Sequence, residues 1–206
     1  IGLAETTGLI QPLSERIYAQ AFEAADRLAE AGFAHMRVAI NVSARQFLSN
    51  GQLPKFQSHF GDRMISANRI EVEITESTAM ESYSVIRGTL ENLRRCGHTV
   101  AIDDFGTGYS SLACLRNLPA DLLKIDRSFV QEIGGEADQT AIADLVIRLG
   151  QRLGLNTIAE GVETPAQASW LRARGCNLAQ GWLFSRPLPL GVLIPWLEKG
   201  QGRVQV

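Results

Sequence analysis

The stretch "HTVAIDDFGTGYSSL", residues 98–112, joins an apolar run to two adjacent carboxylates and then to a loop with two glycines and several hydroxyls. Val100 and Ile102 alternate with Ala101 and Asp103, the period of a β-strand. Asp103 and Asp104 therefore stand at the C-terminal end of a strand. Similar runs recur on both sides of it. Strands are expected at 36–42 (MRVAINV), 69–75 (RIEVEIT), 99–104 (TVAIDD), 122–126 (LLKID), 156–160 (NTIAE) and 178–184 (LAQGWLF).

Helical spacing fills the gaps between these runs. Residues 14–31 carry Ile17, Ala21, Ala25 and Leu28, and residues 82–95 carry Val85, Ile86, Leu90 and Leu93. Residues 140–153 carry Ile142, Leu145, Val146 and Leu149. A further helix over 165–174 opens with Pro165 behind Thr164, a fitting N-cap. The Gly-rich "EIGGEADQ" at 132–139 reads as a loop leading into a helix. Strand and helix alternate about six times, which argues for an α/β architecture with a mostly parallel sheet. An open doubly wound sheet and a (βα) barrel both fit that order. No G-x-G-x-x-G follows the first strand, so the open nucleotide-binding sheet lacks its usual sign.

Bulk composition narrows the function classes. With 206 residues, 45% hydrophobic and 20% charged, the chain can bury a core without disulfides or structural metal. A formal net charge of -2 gives no electrostatic case for DNA as a partner. Cys96, Cys114 and Cys176 are far apart and form no C-x-x-C, which favours a reducing compartment. A cytoplasmic location is expected, or the cytoplasmic side of the inner membrane if a parent protein is membrane-anchored. No apolar run is long enough to span a bilayer, and "IGLAETTGLI" has no basic n-region. The chain has no initiator Met and is expected to begin partway into a larger protein.

Polar residues gather at the strand ends. "VAIN" ends in Asn41, "EVEITE" holds Glu73 and Glu76, and "VAIDD" ends in the Asp pair. "LLKID" holds Lys124 and Asp126, "TIAEGVE" holds Glu160 and Glu163, and "LAQG" holds Gln180. Parallel-barrel enzymes place their chemistry at this end of the strands. Strand parity puts Asn41, Glu73 and Asp103 on the face opposite the apolar residues. An Asn, a Glu and two Asp form an all-oxygen set suited to Mg²⁺ or Mn²⁺. Such acids resist joint ionisation without a cation. Two ions about 3.5–4 Å apart activate phosphodiester hydrolysis by bound water, with Lys124 near the phosphate or the water. Any one of these acids alone reads as a cap or a structural pair; six polar strand ends in succession read as a site.

Other readings are weaker. "DFG" lacks a Gly-rich loop, V-A-I-K and H-R-D, so it is not a kinase signal. "GTGYSS" lacks the lysine of a P-loop. His35, His59 and His98 form no H-x-x-x-H. A phospho-receiver would use an acid pair and a later Lys, yet would leave Glu73, Glu160 and Gln180 unexplained.

The motifs "LAETTGLI", "NVSARQF", "EITES", "IDDFGTGYSSL", "LKIDRSFV", "IAEGVET" and "QGWLFSRPLP" together resemble the EAL domain, the bacterial phosphodiesterase of cyclic di-GMP. The resemblance covers nearly the whole of residues 1–206, read as a single EAL domain. It implies a TIM-like (βα) barrel with one antiparallel strand in the full domain, hydrolysing cyclic di-GMP to linear pGpG with two Mg²⁺ or Mn²⁺ ions. It implies that Asn41, Glu73, Asp103 and Glu160 are metal ligands and that Asp104 serves the second metal. By the same likeness Lys124 lies near the hydrolytic water, and Glu76 anchors the loop after Asp104. Gln180, Arg45 and Arg186 would touch substrate; as surface groups the two arginines would simply be solvated. Gly2 stands where Pro is usual and Trp182 where Tyr is usual.

The Glu-Ala-Leu signature that names the family would lie upstream of residue 1, as would the first two of the barrel's strands. About six of the eight strands are then expected here, leaving two open edges. The 206 residues alone are expected to be impaired in metal binding and catalysis. The resemblance also implies a homodimer and a larger signalling protein with sensory or GGDEF-type domains. A cyclic di-GMP receptor without activity and a protein-interaction module are the alternatives, and the intact acids favour the enzyme.

Overall fold

In a computed structural model of the chain, the structure describes residues 9–43, 67–81, 83–108, 112–134 and 140–200. Arg45 and much of "NVSARQF" lie outside these residues. Six strands form one sheet in chain order: β1 (Val38–Asn41), β2 (Ile70–Thr75), β3 (Thr99–Phe105), β4 (Leu122–Ile125), β5 (Asn156–Ala159) and β6 (Leu178–Ala179). The pairs β1–β2, β4–β5 and β5–β6 are parallel. Parallel neighbours in sequence order, with helix between β4 and β5 and between β5 and β6, are the winding of a (βα) barrel rather than of a doubly wound sheet, whose order reverses at a switch point.

The described helices are α1 (Ile10–Glu30), α2 (Glu76–Glu81), α3 (Tyr83–Arg95), α4 (Leu112–Asn117), α5 (Arg127–Gln131), α6 (Ala141–Leu153), α7 (Pro165–Ala173) and α8 (Leu190–Glu198). The chain divides into two compact units. The first comprises Ile1–Ile74, Thr78–Ala101 and Asn117–Pro119, and the second the remainder.

In the first unit α1 lies against β1. Its buried stripe is Ser14, Tyr18, Ala21, Phe22, Ala25 and Leu28, a 3.6-residue period. Ile17, expected on that stripe, is exposed instead. Arg69, itself buried, donates from Nη1 to the Ala25 carbonyl at 3.1 Å, fixing the turn that feeds β2. Ile70, Val72 and Ile74 of β2 are fully buried. Asn41 and Glu73 are register partners, and the Glu73 carbonyl accepts from Val42 N at 2.9 Å.

In the second unit α6 packs on β4 and β5. Its buried face is Ala143, Val146, Ile147 and Gly150, so only Val146 of the expected apolar set is buried. Ile142 and Leu145 are exposed. The cause is close approach. A Cβ at Gly150 would stand 2.5 Å from Thr157 Cγ2, so the helix meets the sheet closely at Gly150, and the face that shares that side, with Ala143, Val146 and Ile147, is the one turned inward. The α6 helix ends at Gly154, whose left-handed φ of 72° lets Leu155 N reach the Gly150 carbonyl at 2.9 Å. Thr164 caps α7 in a full capping box with Gln167, in agreement with the expected start at Pro165.

The sixth strand is shorter than the expected 178–184. It stops at Ala179 because Gly181 lies on the backbone of Val162: a Cβ there would meet the Val162 carbonyl oxygen at 2.1 Å. The chain then turns, with Phe184 N donating to the Gly181 carbonyl at 3.1 Å. Of the Gly-rich stretch, Glu132–Gly134 form a turn and the rest lies outside the described residues. The short helices α2, α4 and α5, and α8, had no expected counterpart.

Candidate functional site

The centre of the second unit's polar strand ends is Lys124 on β4, only 4% exposed. Its Nζ lies 3.0 Å from Asp103 Oδ1 and 2.7 Å from Glu160 Oε1. Asp103 ends the unbroken buried run of β3, before exposed Asp104 and buried Phe105, and Glu160 directly follows β5. The Glu160 N–H donates to the Ile125 carbonyl at 3.1 Å, continuing the sheet pairing past the strand and fixing the carboxylate beside Lys124. A lysine so buried needs this compensation, since an unpaired ammonium would lose its proton rather than its water alone.

Adjacent residues on a strand point to opposite faces, so Asp103 and Asp104 should diverge. They do not. Asp104 has a left-handed φ of 54°, a conformation Asp tolerates better than most residues. The break in alternation brings its carboxylate back. Asp103, Asp104 and Glu160 can each offer one oxygen, and these three oxygens lie within 4.8 Å of one another. Partial burial pushes the Asp104 carboxyl above its ordinary range, Asp103 and Asp126 push it the same way, and Lys124 opposes them. The Asp104 N–H donates to Asp103 Oδ1 at 3.0 Å, and the Asp104 carbonyl accepts from the Thr107 hydroxyl at 2.8 Å.

The loop that follows is held from beneath. Glu76, 2% exposed, accepts from Gly106 N at 2.8 Å and from Gly108 N at 3.4 Å through Oε2. Gly106 has a φ of 99°, and a Cβ there would lie 2.9 Å from Phe129 Cε2. Glycine is required on both counts. Asp126 caps α5 by accepting from Ser128 N at 2.9 Å.

Gln180 is tied by its backbone, donating to the Ala159 carbonyl at 2.8 Å and accepting from Val162 N at 3.0 Å. Its side chain is exposed. Arg186 is also exposed, with its guanidinium carbon 4.2 Å from the centre of the Trp182 ring. Arg127 approaches the same ring at 5.5 Å and pairs with Glu163 at 3.0 Å. Sequence reading passed over Arg127; the only signal for it was Gly161 directly after Glu160, a glycine on which its stem lies. The structure thus gathers Asp103, Asp104, Glu160 and Lys124, with Glu76 beneath the loop. Asn41 and Glu73 sit side by side at the ends of β1 and β2 in the first unit. Arg45 is outside the described residues.

A strand order of barrel type with acids and a buried lysine at the C-terminal strand ends defines a class: (βα)-type domains with an oxygen-rich polar centre. The EAL domain family model matches residues 1–187, and the chain belongs to that family. Over 96% of its length it is 42% identical to "Cyclic di-GMP phosphodiesterase NbdA" of Pseudomonas aeruginosa, of which it covers 25%. It resembles the solved "PaMucR Phosphodiesterase, c-di-GMP complex" at 40% identity and a TM-score of 0.87, covering 93% of this chain and 78% of that one. A manganese and cyclic di-GMP complex of Klebsiella pneumoniae BlrP1 is similar at 30% identity and a TM-score of 0.70, covering 82% of this chain and 43% of that one. The chain spans about a quarter of the NbdA relative's length.

Proposed function

We propose that the chain is a cyclic di-GMP phosphodiesterase domain that opens the cyclic dinucleotide to linear pGpG. The observation that carries this reading is Lys124, buried between Asp103 and Glu160 with an Asp104 oxygen in the same cluster. Family membership and the names of NbdA and MucR support the substrate.

The donor set fits two Mg²⁺ or Mn²⁺ ions. All the side chains offered are oxygen ligands, and one oxygen from each of Asp103, Asp104 and Glu160 lies within 4.8 Å of the others. Asp103, Asp104 and Glu160 would hold the ions, with Asn41 and Glu73 as the further ligands. Bound divalent ions supply Lewis acidity toward the phosphodiester and make water a nucleophile near neutral pH.

The chain's own residues do the rest. Lys124 offers up to three N–H donors to a phosphate oxygen or to the attacking water, and its charge offsets the acids around it. Glu76 fixes the base of the 106–108 loop and so the placement of Asp104. Gln180, Arg186 and Arg45 supply polar contacts to the dinucleotide. Water adds across one of the two phosphodiester linkages; that P–O bond breaks, and the departing sugar oxygen takes a proton. We also take residues 1–206 as one EAL domain, acting as a homodimer and as the output domain of a larger cytoplasmic or membrane-anchored signalling protein. Among the described residues no helix is long and apolar enough to cross a membrane.

The test is Asp103→Asn in the protein as it occurs, with any flanking sequence present, assayed for pGpG by chromatography. Loss of hydrolysis by about 100-fold or more is expected for a ligand placed on the reacting centre. Unchanged turnover would sink the reading. Binding of cyclic di-GMP in Ca²⁺ together with no turnover in Mg²⁺ or Mn²⁺ by the unsubstituted protein would make it a receptor instead, and no binding in the folded protein would remove both nucleotide readings.

A further inference from the structure

We infer that Arg127 is a positioning residue for this site, clamping the strand-end loops after β5 and β6 against the end of β4. The inference rests on the phosphodiesterase reading and deepens it.

Arg127 opens α5, two residues beyond the end of β4 and three beyond Lys124. Its side chain touches three separate stretches. The aliphatic stem lies against Gly161, where a Cβ would stand 2.3 Å from Arg127 Cγ. Gly161 directly follows Glu160, the partner of Lys124. The guanidinium Nη2 donates to Glu163 Oε1 at 3.0 Å. The same group faces the Trp182 ring at 5.5 Å, and Arg186 faces that ring at 4.2 Å. With the Gln131 amide turned so that its oxygen faces Arg127, it accepts from Nε at 2.7 Å and Nη2 at 2.9 Å, holding the fork from behind.

Backbone bonds join the same loops. Val162 N donates to the Gln180 carbonyl at 3.0 Å, and Leu183 N donates to the Val162 carbonyl at 3.0 Å. One planar cation thus spans the loop carrying Glu160 and the loop carrying Gln180 from the start of the helix that follows the strand carrying Lys124. Lysine could supply the charge but neither the fork nor the stacked plane. The Arg127–Glu163 pair is open to water, with side chains 51% and 36% exposed, so screening leaves it little share in global stability. Its consequence is local: a small displacement of Glu160 relative to Lys124 changes the reacting geometry, and reactions are steeply sensitive to such displacements.

The experiment compares Arg127→Ala, Arg127→Lys and the parent protein, each with its natural flanking sequence. Steady-state hydrolysis of cyclic di-GMP, thermal unfolding and amide hydrogen exchange are measured. The expected result for Arg127→Ala is kcat lower by about 10-fold with KM within about 3-fold, at nearly unchanged Tm. Exchange at Val162 and Leu183 should quicken by a similar factor, and Arg127→Lys should recover part of both effects. A rise in KM at constant kcat would overturn the inference in favour of a direct substrate contact. A lower Tm with unchanged kcat in the folded protein would overturn it in favour of a structural role. Unchanged kcat and exchange would overturn it outright. A parent protein that hydrolyses no cyclic di-GMP would overturn the phosphodiesterase reading and this inference together.

Discussion

Two loops of the second unit are fastened in opposite ways. The loop after β3 is held by Glu76, a carboxylate 2% exposed that accepts two backbone N–H groups. The loop after β5 is held by Arg127, an exposed guanidinium paired with an exposed carboxylate. A buried acceptor is committed: once its donors are removed, the desolvation it has already suffered is uncompensated. An exposed pair can exchange its partner for water at little cost. The difference separates two properties that a contact map merges. Buried polar groups bear on both stability and placement, while exposed ones bear on placement almost alone.

Lys124 is the extreme of the buried kind and should give the largest effect. Lys124→Met leaves Asp103 and Glu160 facing each other and Asp104 without their shared counter-charge. Breaking a buried pair in this way costs about 3–5 kcal/mol of stability. Turnover should fall by about 100-fold or more if the ammonium contacts the reacting phosphate or water. Mg²⁺ or Mn²⁺ should raise the Tm of the variant more than that of the parent, because the acids then need the cation more. Equal shifts in a thermal scan would break the assignment of these acids as ligands.

The second effect in size belongs to Glu76. Glu76→Gln keeps the shape and an acceptor oxygen but removes the charge that strengthens both bonds. A loss of about 1–2 kcal/mol is expected in urea unfolding, since hydrogen bonds to charged groups contribute roughly 1.5–3 kcal/mol each and part of that is retained. Exchange at Gly106 should quicken while that at Val162 does not. If both loops loosened together, the two fastenings would be one, and the comparison would collapse.

How far these features were legible in the sequence follows the same division. Strand ends with polar residues were legible because alternation and loop chemistry are local, and each of the six strands falls on an expected run, although the last, in a run without β-branched residues, keeps only Leu178–Ala179. The helix faces were less so. Ile142 and Leu145 fit the apolar spacing yet are exposed, because the close approach of Gly150 to Thr157 turns the face with Ala143, Val146 and Ile147 inward instead. Spacing ranks residues by hydropathy, and the seat was chosen by steric fit. The acid cluster was legible in composition but not in geometry. Strand parity alone would have sent Asp104 away from Asp103, and only its φ of 54° returns it. Arg127 was the least visible, since its role depends on Gly161, Glu163 and Trp182 meeting from distant stretches.

The smallest effect completes the comparison. Glu163→Gln removes the charge from the exposed pair while Gln131, Gly161 and Trp182 still surround Arg127. Unfolding free energy should change by no more than about 1 kcal/mol, the range for pairs open to solvent. What remains of that change should shrink as salt is raised, because exposed charges are screened within about 10 Å at 0.1 M ionic strength. The Glu76→Gln loss should not shrink in the same way, since its bonds run to backbone amides beside a buried carboxylate. A denaturation series at low and high salt therefore tests the division itself. Two variants with the same salt dependence would show that burial is not what distinguishes the two loops.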